Sequence, residues 1–157
     1  MSDIETFMQE AITLSREKMR AGLGGPFGAV IVKDGEIIGR GHNEVTVLND
    51  PTAHAEVSAI RDACQNLATF NLTGAEIYTS CEPCPMCLAA IYWARISRIY
   101  YANTREDAAA IGFDDEFLYE EMKKDLETRS IPIKQIELSE AKSVFDEWRN
   151  KDDKIPY

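Results

Sequence analysis

The chain has no long hydrophobic run; nothing in its 157 residues approaches the roughly 20 consecutive apolar residues of a membrane span, which excludes a helical integral membrane protein. It is short of positive charge, with 17 lysines and arginines against 27 aspartates and glutamates and a net charge of −10. That shortage disfavours polyanion partners, because counterion release needs basic side chains against phosphates, and a nucleic acid would have to find a local basic groove. Internal repeats, low-complexity tracts and linker-like stretches are missing, so one domain is expected for this length. The opening MSDIETFMQEAITLSREKMR lacks the basic start and apolar block of a secretory leader. A cytoplasmic location is therefore expected, with cysteines reduced. Cysteine itself is scarce: there are four, and three of them crowd into TSCEPCPMC at residues 79–87.

What is present is ordinary globular material, 45% hydrophobic and 28% charged, enough for a real core. A first helix is expected over about 2–20, with Ser2 as N-cap and Glu5 completing a capping box. AGLGGPFG, with four glycines and a proline, is a loop. FGAVIVK and EIIGRGH flank Asp34-Gly35 and read as a β-hairpin. After the loop NEVTVLNDPT, a helix begins near Ala53; AEIYTS is a strand, CEPCP a turn, and PMCLAAIYWAR a helix with Pro85 at its favoured first position. SRIYYAN reads as a strand, EFLYEEMKK as a helix, IPIKQIEL as an alternating strand and EAKSVFDEWRN as a last helix. The order αββαβαβαβα predicts an α/β fold, a mixed sheet with helices on both faces.

Two helix starts carry chemistry. One holds His54-Ala55-Glu56, the other Pro83-Cys84-Pro85-Met86-Cys87. Cys84 lies thirty positions beyond His54, room for a helix and a strand that would bring both starts to one edge of the sheet. Cys84 and Cys87, three apart across a helix start, can aim both sulfurs at one point. Two sulfurs and one imidazole suit zinc, which prefers N/S donors, and three protein ligands leave the open position of a catalytic rather than a structural site. Two helix N-termini would add positive partial charge that favours thiolates. Glu56 stands where it can take a proton from water and give it to a substrate nitrogen. Taken singly, each residue has a plainer role: His54 as a buried or capping residue, Glu56 as a complement to the helix dipole, the cysteines as a redox pair. Cys81 reads as a small buried neighbour of the site, Cys64 as helix core and His42 as structural.

The conjunction of H-A-E with P-C-x-x-C resembles the zinc deaminase signature. The chain is similar along essentially its whole length to the cytidine deaminase-like zinc hydrolases, through GGPFGAVIVKDG, NDPTAHAEVSAIR, YTSCEPCPMCLAAIYWAR, GFDDEF and a terminal tyrosine. GFDD and Tyr157 point within that superfamily to a branch acting on guanine. The resemblance implies a three-layer αβα sandwich on a five-stranded mixed sheet, with Zn2+ held by His54, Cys84 and Cys87. It implies hydrolysis of guanine to xanthine and ammonia by attack at C2, with Glu56 serving ring N3 and then the departing amine. By the same resemblance Phe27 and Trp93 are walls of an apolar slot, for which core packing is the plainer role. Ala55 lies in that slot, and Asn43 reads a base edge. Asp115, with Asp114 as its alternative, accepts from a ring N–H or amino group, and Tyr157 acts as a lid. It also implies a homodimer in which a C-terminal segment, about 120–157, is domain-swapped. Rival readings are a tRNA adenosine deaminase, which the net charge of −10 disfavours, another nucleobase or nucleoside deaminase, and a catalytically silent zinc-stabilised binding module.

Overall fold

In the computed structural model, which describes residues 2–157, the chain divides into two compact units, one running to Glu116 and the other spanning Phe117–Tyr157. The first unit opens with helix α1 (Asp3–Arg20), where the Glu5 amide donates to the Ser2 hydroxyl and the Ser2 amide donates to the Glu5 carboxylate, the expected capping box. Strands β1 (Gly28–Lys33) and β2 (Glu36–His42) form the hairpin, turning at Asp34 and Gly35, which both adopt positive φ, 52° and 79°. A short helix α2 (Val45–Leu48) precedes α3 (Ala55–Leu67), and β3 (Glu76–Cys81), α4 (Pro85–Trp93), β4 (Arg98–Asn103) and α5 (Arg105–Ala110) follow.

The strands are ordered β2-β1-β3-β4, with β1 antiparallel to both neighbours and β3 parallel to β4, so the sheet is mixed. Alternation along the strands divides the core. Ala29, Ile31 and Ile77 pack with Ala55, Ala59, Ala63 and Ile91 of α3 and α4, while Val30, Val32 and Tyr78 pack with Phe7, Met8 and Leu14 of α1. Helices therefore cover both faces of the sheet.

Helix α3 lies almost directly on β2. A Cβ on Gly41 would sit 2.2 Å from the Ala55 carbonyl oxygen, and one on Gly39 would sit 2.6 Å from that of Ala59. Ala55, Ala59 and Ala63, four residues apart and fully buried, present the matching small face. Small residues on both sides let backbone meet backbone, and this fixes the first turn of α3 against the end of β2.

The second unit holds the end of α6 (Glu116–Lys123), a 3-10 turn at Leu126–Thr128 and α7 (Ser139–Asn150). The sheet has four strands among the described residues, not the five expected. The segment read as a fifth strand, 131–138, joins no ladder, and Ile131, Ile133, Ile136 and Leu138 are all exposed. The reason is physical: an alternating pattern gives a strand only where another strand offers its hydrogen bonds, and this unit contains none. No helix of the described residues is long and apolar enough to cross a membrane.

Candidate active site

His54 and Cys84 occupy equivalent places. Each is the N-cap of its helix, in extended backbone (φ −70°, ψ 156° and φ −66°, ψ 168°), and neither uses its side chain to cap. The capping role open to His54 is thus not taken, and both side chains are turned to a common point. Pro85 holds the first helical position, so Cys87 falls in the first turn of α4. The Sγ atoms of Cys84 and Cys87 each stand 3.5 Å from His54 Nδ1. The three donor atoms all lie within 4.8 Å of one another. A tetrahedral zinc with bonds of about 2.3 Å to sulfur and about 2.0 Å to nitrogen demands an S···N separation of about 3.5 Å, so the donor set fits.

The protons of this trio are shared unevenly. A hydrogen bond from Cys87, aided by His54, brings the Cys84 thiol down to about 4. Cys87, as the donor to Cys84 and a buried group, is pushed far up, and contact with Cys84 raises His54 against the opposing effect of burial. Cys84 is thus a thiolate, the form a metal binds, and coordination displaces the remaining protons.

Glu56 does not decorate the helix surface. It is 7% exposed, its Oε1 accepts from the Thr79 hydroxyl at 3.2 Å, and its carboxyl group meets the Cys87 thiol. Burial raises its pKa, so a carboxyl group suited to holding a proton stands beside the sulfurs.

Around this centre the other expected residues separate. Phe27 is half-buried, packs edge-on against Phe113 at 5.0 Å, and accepts the Asn43 amide on its carbonyl at 3.1 Å. Asn43 is 9% exposed, and its Oδ1 accepts from the amides of Gly25 and Val45, at 3.4 and 3.2 Å. Its oxygen is thus committed, and the NH2 is the part left to offer a ligand. Ala55 is fully buried under β2. Asp114 accepts from the Glu116 amide, two residues on, at 3.0 Å. Asp115 is half-buried, and burial, then the charge of Cys84, raises its pKa. Trp93 ends α4, about 9 to 14 Å along the axis from the cysteines at its start, is 63% exposed and has the Arg95 guanidinium 5.8 Å over its ring. It does not line a slot at the sulfurs of its own chain. Tyr157 belongs to the second unit and is exposed.

The remaining cysteines and histidine are structural. Cys81 is buried at the end of β3 and donates to the Thr104 carbonyl at 3.7 Å, Cys64 is half-buried against the core, and His42 pairs with Glu44 at 3.1 Å. Sequence reasoning passed over Thr79 and Phe113. The GFDD motif contained Phe113, whereas nothing local marked Thr79.

A metal-ready His/Cys/Cys trio with a buried carboxyl group, set on two helix starts over a mixed sheet, is the apparatus of a hydrolytic zinc enzyme. The chain belongs to the cytidine and deoxycytidylate deaminase zinc-binding family, whose profile matches residues 1–103. It is 57% identical over 153 residues to guanine deaminase of Bacillus subtilis, covering 98% of each chain. The X-ray structure of that guanine deaminase superposes with a TM-score of 0.95, again over 98% of each chain. A tRNA-specific adenosine deaminase of Agrobacterium fabrum is 54% identical, but only over 86 residues, 55% of this chain and 57% of its own length. Zinc is the metal of this family, and the trio is able to hold it.

Proposed function

We propose that this protein hydrolyses guanine to xanthine and ammonia. The observation that carries the reading is the reach and level of the similarity together: the likeness to a guanine deaminase runs through 98% of the chain at 57% identity, whereas tRNA-specific adenosine deaminases cover from 55% of it at 54% identity to 83% at 37%. His54, Cys84 and Cys87 are the zinc ligands of this reading. Bound there, zinc supplies the Lewis acidity that makes water a nucleophile at neutral pH.

The chain's own residues do the rest. Glu56 takes a proton from the attacking water and delivers it to ring N3; a second transfer to the exocyclic nitrogen lets the C2–N bond break and ammonia leave. Phe27 and Phe113 offer an apolar wall, while Ala55, fully buried against β2, seats the first turn of α3 behind the slot. Asn43, with its oxygen tied down, donates to an acceptor edge of the purine. Asp115 rather than Asp114 accepts from a ring N–H or amino group, because Asp114 is engaged with the Glu116 amide.

In this reading residues 1–157 form one deaminase, and the segment 120–157 is exchanged between the two subunits of a homodimer. The support is the absence of any buried side chain from 117 to 157, although Phe145, Trp148 and Ile155 are large and apolar. Trp93 and Tyr157 then act across the dimer, Tyr157 as a lid over a second subunit's slot. The enzyme is cytoplasmic, with a small nucleobase, not nucleic acid, as its partner.

Incubation of zinc-replete protein with guanine, adenine, cytosine and their nucleosides, followed by ultraviolet spectra, tests the reading. Conversion of guanine to xanthine is expected. Guanine left untouched while a tRNA anticodon stem-loop is deaminated would overturn it.

A further inference from the structure

Thr79 is a polar residue where the fold asks for an apolar one. It follows Ile77 by two on β3 and therefore shares the face that packs Ala29, Ile31 and Ile77 under α3. Its side chain is 1% exposed. A valine would have the same shape and continue that apolar face without a hydroxyl to satisfy.

The hydroxyl has two acceptors within reach and a single hydrogen. Thr79 Oγ1 lies 3.2 Å from Glu56 Oε1 and 2.9 Å from the Cys81 carbonyl oxygen. A hydroxyl also accepts. It can therefore donate to the carboxylate, or accept from the carboxyl group once a proton has been taken up while turning its own hydrogen to Cys81. In both arrangements the Glu56 side chain keeps one neighbour in one place, and the carbonyl keeps the hydroxyl from being left unpaired. β3 is a central strand, flanked by β1 and β4, so this neighbour is held by the most rigid part of the sheet.

We infer that Thr79 is a positioning residue for Glu56: it holds the carboxyl group in the single orientation from which protons are carried during guanine hydrolysis. The inference rests on the function proposed above and adds a residue to it. Thr79 touches neither substrate nor metal, so its effect should appear in kcat and leave KM and metal content alone.

The experiment compares Thr79→Val and Thr79→Ser with wild type in kcat, KM, zinc content and Tm. Valine keeps the shape and loses the hydroxyl; serine keeps the hydroxyl and loses a methyl group. The expected result is a kcat about 10- to 100-fold lower in T79V, with KM and zinc unchanged, and near-normal kcat in T79S. The Tm order should run the other way, T79V at or above wild type and T79S below it. A structural role moves kcat and Tm together, so the crossed ranking separates the two explanations. Normal kcat in T79V, a T79S as slow as T79V, or loss of zinc from T79V would each overturn the inference. Should T79V fail to accumulate, T79S against T79A makes the same comparison, since both lack the methyl and only alanine lacks the hydroxyl. Wild-type enzyme inactive on guanine would overturn the functional reading and this inference together, whereas active wild type with an unaffected T79V would overturn the role of Thr79 alone.

Discussion

The two units of this chain are made by different physics. The first, up to Glu116, has a sheet whose alternating residues feed two apolar clusters, with Ala29, Val30, Ile31, Ile77 and Leu72 all fully buried. The second, Phe117–Tyr157, has no buried side chain, and polar contacts lace it. Glu121 accepts from Lys124 and from both the amide and the hydroxyl of Ser130, while the apolar residues Ile131, Phe145 and Ile155 are exposed. A unit of 41 residues without a buried core has little apolar burial to set against its own conformational entropy. The first unit carries the reactive groups; the second carries exposed apolar side chains.

The largest effect that would sharpen this contrast comes from chemistry wholly within the first unit. Glu56→Gln keeps the size and the Thr79 contact but cannot carry a proton. The expected loss is about 10³-fold in kcat, or about 4 kcal/mol of transition-state stabilisation, with zinc retained by elemental analysis. Turnover at the wild-type rate would remove Glu56 from the mechanism.

Next comes the packing that aims the site. In Gly41→Ala the added methyl would meet the Ala55 carbonyl at 2.2 Å, backbone that cannot yield without lifting the first turn of α3. The expected cost is about 2–3 kcal/mol in chemical denaturation. His54 precedes Ala55, so weakened zinc binding should accompany it; an unchanged midpoint with full zinc would mean that α3 is free to slide.

How much of this was legible beforehand follows the same division. Local chemistry announced itself: the Ser2–Glu5 capping box, the Asp34-Gly35 hairpin and Pro85 at a helix start were readable from neighbours in sequence, and the sulfur–imidazole trio from two short motifs thirty positions apart. Features that depend on what lies across space were not. Thr79 meets Glu56 from 23 residues away, and nothing in GFDD told that Asp114 is the one to meet the Glu116 amide. Short α5 was missed although Thr104 and Asp107 form a capping box, because six residues show too little periodicity. IPIKQIEL failed as a strand for want of a partner, and the distance between Trp93, at the end of α4, and the sulfurs of its own chain emerged only with the helix in place.

The third prediction breaks the comparison at the second unit. Wild type is expected to run in light scattering at about twice the 17.6 kDa of one chain. Phe145→Glu places a charge on a ring that is 75% exposed within its own chain, which costs a monomer little and an apolar contact between subunits much. The variant should shift to monomer and lose guanine activity while keeping its zinc and the fold of the first unit. A dimer that survives this change, or a wild type that is monomeric, would rule out exchange of the C-terminal segment.

The smallest effect concerns the polar cohesion of the second unit. Hydrogen bonds from Lys124, led by that side chain, and from Ser130 hold the Glu121 carboxyl down at about 2, from an ordinary value of 4.5. A folded-state value below the unfolded one stabilises wherever the group is ionised in both states, which is at pH above about 4.5. The contribution fades as pH falls from there toward 2, where the folded carboxylate is itself protonated. Glu121 is half-buried at the surface, so water and salt still screen the contacts and the effect on the whole protein is slight. Glu121→Gln should therefore differ from wild type in helical circular dichroism and Tm at neutral pH and converge with it below that window, and 1 M salt should shrink the neutral-pH difference. A difference that persisted undiminished at low pH would mean that residue 121 acts through packing, and that the second unit has an apolar anchor of its own after all.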